Sequence, residues 1–110
     1  MVNFFVMNND YLKTYKFILE DKSLDLGESI LLCLYLEKFF YHNGCVIASD
    51  EKDSESLKMD RKSVGRKRKH LQEIGYIKCY TEKGKPCMIQ INETVVNKAK
   101  EINDNLNKSK

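Results

Sequence analysis

The stretch from Asp25 to Asn43, DLGESILLCLYLEKFFYHN, reads as a helix with no solvent side. Asp25 and Glu28 form an Asp-x-x-Glu variant of the capping box, and Gly44 supplies the stop. Leu31, Leu32, Tyr35 and Phe39 take positions that a surface helix would make polar, while Ile30, Leu34 and Tyr41 serve the other side. A helix that is apolar all round must be buried all round. A chain of 110 residues makes one domain with a modest core, and rarely surrounds a helix by itself. The pattern therefore predicts a homodimer through the 25–43 helix and the N- or C-terminal helices. The alternative is that the first and last helices cover it within one chain.

Shorter elements surround it. Residues 3 to 7 read as extended, and Asn9 to Glu20 as a helix capped by Asn8 or Asn9. Cys45 to Ala48 makes a short strand, and Ser49 caps a weak helix with Asp50 and Glu51 in its first turn. Leu57 is the only large apolar residue of that helix. Asp60 caps a further helix that ends at Gly75. Ile77, Cys79 and Thr81 alternate on one strand, and Cys87, Ile89 and Ile91 on its return, around a Glu82-Lys83-Gly84-Lys85 turn. Asn92 caps a last helix through Ile102 or Leu106.

The helix after Asp60 carries the charge. Six of the nine residues from Arg61 to Lys69 are Lys or Arg, yet Val64, Leu71 and Ile74 keep helical spacing. On a helical wheel these apolar residues share one side. Lys62, Arg66 and Lys69 fall opposite, around Gly65, with Arg61 on a flank. From Arg61 to Lys85 the net charge is +7, against −4 for the rest of the chain. A two-faced helix of this kind suits the major groove of a duplex, where Arg and Lys hold phosphates or read guanine.

The segment ASDEKDSESLKMDRKSVGRKRKHLQEIGYI, from Ala48 to Ile77, resembles the winged helix-turn-helix of phage and plasmid replication and partition proteins. Their pattern runs Pro-Ser-x-x-x-(apolar)-Ala, then Leu-Gly-(apolar)-Ser, Arg-Arg-x-Val and Leu-x-x-x-Gly-(apolar)-Ile. Ser49, Leu57, Met59, Arg61, Lys62, Val64, Leu71, Gly75, Tyr76 and Ile77 match it. Asp53 stands where the pattern is apolar, Ser54 replaces its alanine, and Lys67 and Arg68 replace Ala and Leu or Ile on the packing side. The aliphatic stems of those two cations can cover apolar surface while the heads reach out. Size and the helix after the wing look like TubR, the centromere-binding adaptors of tubulin-type partition systems.

The resemblance implies an α+β, mostly α, winged helix-turn-helix with an extra N-terminal helix and a C-terminal helix after the wing. One domain, 1–110, would hold a recognition helix at about 60–75, a wing at about 76–91 and a C-terminal helix at about 92–106. Arg61, Lys62, Ser63, Gly65, Arg66 and Lys69 would touch double-stranded DNA from the helix, and Lys83 and Lys85 from the wing. A tubulin-like GTPase would be a partner in the partition role. Other roles fit the same residues: a host-type repressor, a replication-initiation protein, or a protein-interaction winged helix that binds an acidic partner.

Composition narrows the field further. Hydrophobic residues are 42% and charged residues 32%, a soluble balance, and the longest apolar run, Ile30 to Leu36, is too short to span a bilayer. The start, MVNFFVMNND, does not read as a signal peptide, so a cytoplasmic location is expected. Cys33, Cys45, Cys79 and Cys87 lack metal or redox spacing and read as small buried hydrophobes. Neither His42 nor His70 has a partner at catalytic spacing. The sequence predicts no enzyme, no cofactor and no metal.

Overall fold

A computed structural model describes residues 15–44, 46–81, 83–84 and 86–108. The extended segment expected at 3–7, the caps Asn8 or Asn9 and the start of the first helix lie outside the described residues, as do Cys45, Glu82 and Lys85. In order, the elements are α1 (Lys16–Leu19), α2 (Leu26–Tyr41), β1 (Ile47–Ala48), α3 (Asp50–Leu57), α4 (Arg61–Glu73), β2 (Ile77–Tyr80), β3 (Cys87–Ile91) and α5 (Glu93–Lys108). The sheet is antiparallel with strand order β1-β3-β2. This is a winged helix: α3 and α4 form the helix-turn-helix, and the β2–β3 hairpin is the wing.

Local chemistry sets the helix ends. Asp25 caps α2 by accepting from the Glu28 amide at 2.7 Å, and Glu28 returns a carboxylate oxygen to the Asp25 amide at 2.8 Å. The helix closes where Asn43 turns left-handed, at φ 54°, and the Gly44 amide reaches Phe39 O. Ser49 caps α3 from its hydroxyl, 3.2 Å from the Lys52 amide. At the end of α4, Gly75 has φ 85°; its amide bonds Gln72 O and that of Tyr76 bonds Leu71 O. Those are the two bonds of a Schellman motif. Asn92 caps α5 through the Thr94 amide, at 2.8 Å, and donates to Gly75 O at 3.0 Å. Asp60 occupies the cap position of α4, but its carboxylate takes the Ser63 hydroxyl instead of a backbone amide.

The turn between α3 and α4 departs from the pattern quoted above. Lys58 holds φ 54° at the place where that pattern has glycine. A side chain there carries left-handed strain that glycine avoids.

The core is built around α2. Every residue from Leu31 to Leu36 is buried within the single chain, with Tyr15 and Ile18, Val46, Leu71, Ile77, Ile89, Ile91, Val95, Val96 and Ala99 in the same cluster. This corrects the premise for a dimer. The Leu31–Leu36 stretch of α2 is covered by elements of its own chain and needs no second copy, while Leu26 and Tyr41 at its two ends stay exposed. The sheet gives the core its inner side: Ile77 opposes Ile91 and Cys79 opposes Ile89, as the alternation predicts. Among the described residues no helix is long and apolar enough to cross a membrane.

Candidate nucleic-acid interface

The basic helix is split by environment. Arg61, Lys62, Arg66 and Lys69 are exposed. Arg61 approaches Glu51 at 3.8 Å, but both side chains lie largely in water, where such a pair is worth little. Arg66 Nη2 reaches Ser63 Oγ at 3.3 Å. Ser63 is half-buried and spends its hydroxyl on Asp60, so it serves the start of α4 first. Gly65 lies in the same stretch, and a Cβ built on it meets nothing within 4 Å. Position 65 is open surface.

Lys67 and Arg68 belong elsewhere. Lys67 runs along Gly27, where an added Cβ would come within 2.5 Å of its stem, and its ammonium reaches Asp25 Oδ2 at 3.1 Å. His70 Nδ1 meets the Glu28 carboxylate. Each carboxylate of the α2 capping box therefore gives one oxygen to backbone and the other to α4. The stem-and-head behaviour expected of Lys67 is what the fold uses.

Arg68 is only 13% exposed and uses three nitrogens on three partners. Nε donates to the Tyr35 hydroxyl at 2.8 Å, Nη2 to Asp53 Oδ2 at 3.1 Å, and Nη1 pairs with Asp50. Asp53 is fully buried, yet it also accepts from Tyr35 at 3.2 Å and Lys38 at 3.1 Å. Among the described residues no buried side-chain polar atom lacks a partner. Burial, then the Asp53 charge, pushes the Tyr35 phenol far above its ordinary pKa. Burial disfavours the Arg68 cation, but Tyr35 and Asp50 outweigh it and hold the guanidinium protonated.

Asp53 and Arg68 are thus two departures from the apolar pattern that compensate each other. Sequence reasoning noted both and paired neither. The signal available was the coincidence itself: two charges at packing positions of adjacent helices must neutralise each other or be excluded. His70 is tied in the same non-local way, to a Glu28 carboxylate 42 residues away in the chain.

The wing is described in part. Lys83 is exposed at the turn beside Gly84, whose φ is 78°, and Lys85 lies outside the described residues. The outer sheet face adds exposed Lys78 and Tyr80. Cys33, Cys79 and Cys87 are free thiols. Burial pushes the Cys33 thiol up to about 12 and, with Cys87 beside it, the Cys79 thiol up to about 11.

No protein-family model matches this chain, and no curated protein matches it. Solved structures do match it in fold. MepR, a transcription regulator of the Staphylococcus aureus multidrug efflux pump MepA, aligns with a TM-score of 0.55 at 8% identity, over 99% of this chain and 79% of that one. The Staphylococcus aureus MepR–DNA complex aligns with a TM-score of 0.58 at 12% identity, over 96% and 86%. A mutant of Lactococcus lactis ZitR aligns with a TM-score of 0.55 at 21% identity, over 99% and 79%. At these identities the likeness concerns the winged-helix fold.

Proposed function

We propose that this chain is a sequence-specific double-stranded DNA-binding protein that acts as a transcription regulator. One observation carries the reading. The fold divides the basic run of α4 into anchored cations, Lys67 and Arg68, and an exposed set, Arg61, Lys62, Arg66 and Lys69, around the open Gly65. What favours DNA over plain solvation is that the exposed set is cationic throughout, with no acid from Arg61 to Lys69. In a major groove the exposed set would reach base edges and phosphates, while Lys83 and Lys85 on the wing would hold the backbone.

The regulator role is favoured because MepR is described as a transcription regulator and its fold is solved on DNA. A cavity of about 230 Å³, lined by Phe17, Asp21, Leu32, Tyr76 and Lys98, offers a place for a small effector. Tyr76 belongs to the turn that closes α4 and donates to Asp21, so an occupant there would touch the segment that joins the recognition helix to the wing. The second reading, a partition adaptor working with a tubulin-like GTPase, is supported by the residue matches from Ser49 to Ile77. A homodimer belongs to either role, since motifs of this type read two half-sites about 34 Å apart through two-fold symmetry.

A mobility-shift titration against the DNA upstream of its own gene tests the reading. Wild type is expected to prefer that DNA to a scrambled duplex, and Arg66→Ala to lose roughly 1–3 kcal/mol of binding if Arg66 reads a base. No preference, together with unchanged affinity in Ala variants of Lys62, Arg66 and Lys69, would remove α4 from the interface. Light scattering of the free and DNA-bound protein reads the dimer directly.

A further inference from the structure

We propose that Asp53 and Arg68 are positioning residues: a buried ionic clamp that sets the angle of the recognition helix against α3. The functional half of this proposal rests on the DNA-binding reading above. α3 brings little apolar matter to its contact with α4: Leu57 is its one large apolar residue, and Asp53 is its one buried residue. The position that should carry an apolar contact carries a carboxylate, and every oxygen of that carboxylate is engaged. Oδ1 takes Lys38 from α2; Oδ2 takes Tyr35 from α2 and Arg68 from α4.

Geometry explains why this arrangement fixes an angle. Dispersion contacts are non-directional and tolerate repacking. A guanidinium fork is planar and rigid. Arg68 bonds a phenol on α2, a carboxylate at the N-terminus of α3 and a second carboxylate one turn along it, each from a different nitrogen. Three such bonds on three points of two helices leave α4 little room to roll. Burying the pair costs desolvation that an apolar pair avoids, so stability alone is a weak reason to have it. Orientation of the neighbouring residues Arg66 and Lys69 is the gain. Arg68 itself faces inward and touches no DNA.

The test compares wild type with Tyr35→Phe/Asp53→Leu/Arg68→Leu, which restores the apolar pattern and leaves no orphaned hydroxyl. Asp53→Leu alone strands the buried Arg68 and is expected to fold poorly, so the triple variant, in which only the partly exposed Lys38 loses its partner and can turn its ammonium to water, is the informative one. It should fold, with a melting temperature no lower than wild type. Its preference for specific over scrambled DNA should fall at least tenfold, with an unchanged slope of log affinity against log salt. Arg68→Lys, which keeps the charge but not the fork, should not recover that preference. An unchanged preference in the folded triple variant overturns the clamp. So does a slope shallower by about 0.9 per chain, which would put Arg68 on a phosphate. Residual dipolar couplings of the free protein read the α3–α4 orientation without DNA. If wild type shows no DNA preference, the DNA-binding reading falls, and the couplings alone decide: a changed orientation in the triple variant supports the clamp, and an unchanged one overturns it.

Discussion

Arg68 Nη2 lies 3.1 Å from Asp53 Oδ2, an ion pair between the two helices of the helix-turn-helix at a place where apolar side chains would ordinarily meet. Asp53 has no solvent access, and Arg68 very little. Charge so placed is tolerable only because every partner is present. That makes the pair sensitive to removal of one side.

Asp53→Ala should therefore be strongly destabilising. It leaves Arg68 and Lys38 facing each other without their shared anion. Breaking a buried pair on one side costs about 3–5 kcal/mol, and the low end is expected because Lys38 retains some contact with water. Urea unfolding measures it; a loss under about 1 kcal/mol would mean that the site rehydrates.

Gly65→Ala should separate folding from binding. The helix gains roughly 0.5–1 kcal/mol from losing a glycine, and the new methyl meets nothing in the free protein. Against DNA the same methyl blocks close approach, so affinity should drop while the melting temperature rises. Equal or better binding would place Gly65 away from the duplex.

Salt should distinguish the two kinds of cation on α4. Two chains offering Arg61, Lys62, Arg66 and Lys69, with the wings, should give a log–log slope of about −5 to −7. Lys69→Ala in a dimer should make it shallower by about 2, at 0.9 per phosphate contact. Arg68→Gln should leave it alone, although it lowers stability. A wild-type slope near zero ends the DNA reading.

Lys58→Gly should stabilise the fold. The left-handed backbone costs a side chain about 1–2 kcal/mol and glycine little, while the freer unfolded chain takes back part of that. A net gain of about 0.5–1 kcal/mol is expected by thermal or urea unfolding. A loss would show that the Lys58 side chain does something that its backbone does not require.

Asp25 should contribute to the acid limb. Burial opposes its charge, but the Glu28 amide and Lys67 outweigh that and hold the pKa below its ordinary 3.8. The folded state thus binds the proton less readily than the unfolded chain. Its contribution is complete above about pH 3.8 and fades as pH falls through the folded value. Asn can still cap the helix, so Asp25→Asn should show a flatter stability profile below that pH, followed by circular dichroism. An identical acid limb would assign the effect to other carboxylates.

Much of this protein was legible residue by residue, because the forces involved act within a few residues. The Asp25–Glu28 capping box, the Ser49 and Asn92 caps, the stop at Gly75 and the wing's alternation all depend on side chains and backbone groups close in sequence, and each formed where its spacing says. The winged-helix order of elements follows from them. What the chain alone left open depends on residues far apart. Whether α2 is covered by its own chain or by a second one turned on how α1, α4, β3 and α5 close over Leu31 to Leu36, and a wheel drawn on one helix contains no such information. The sorting of six cations on α4 was just as non-local. Lys67, Arg68 and His70 are held by acids 15 to 42 residues away, and those acids came within reach only when α2 and α3 packed against α4. Periodicity placed the basic face; the tertiary fold chose which of its charges stay free for a partner, because a buried cation must find its anion inside the protein and an exposed one need not.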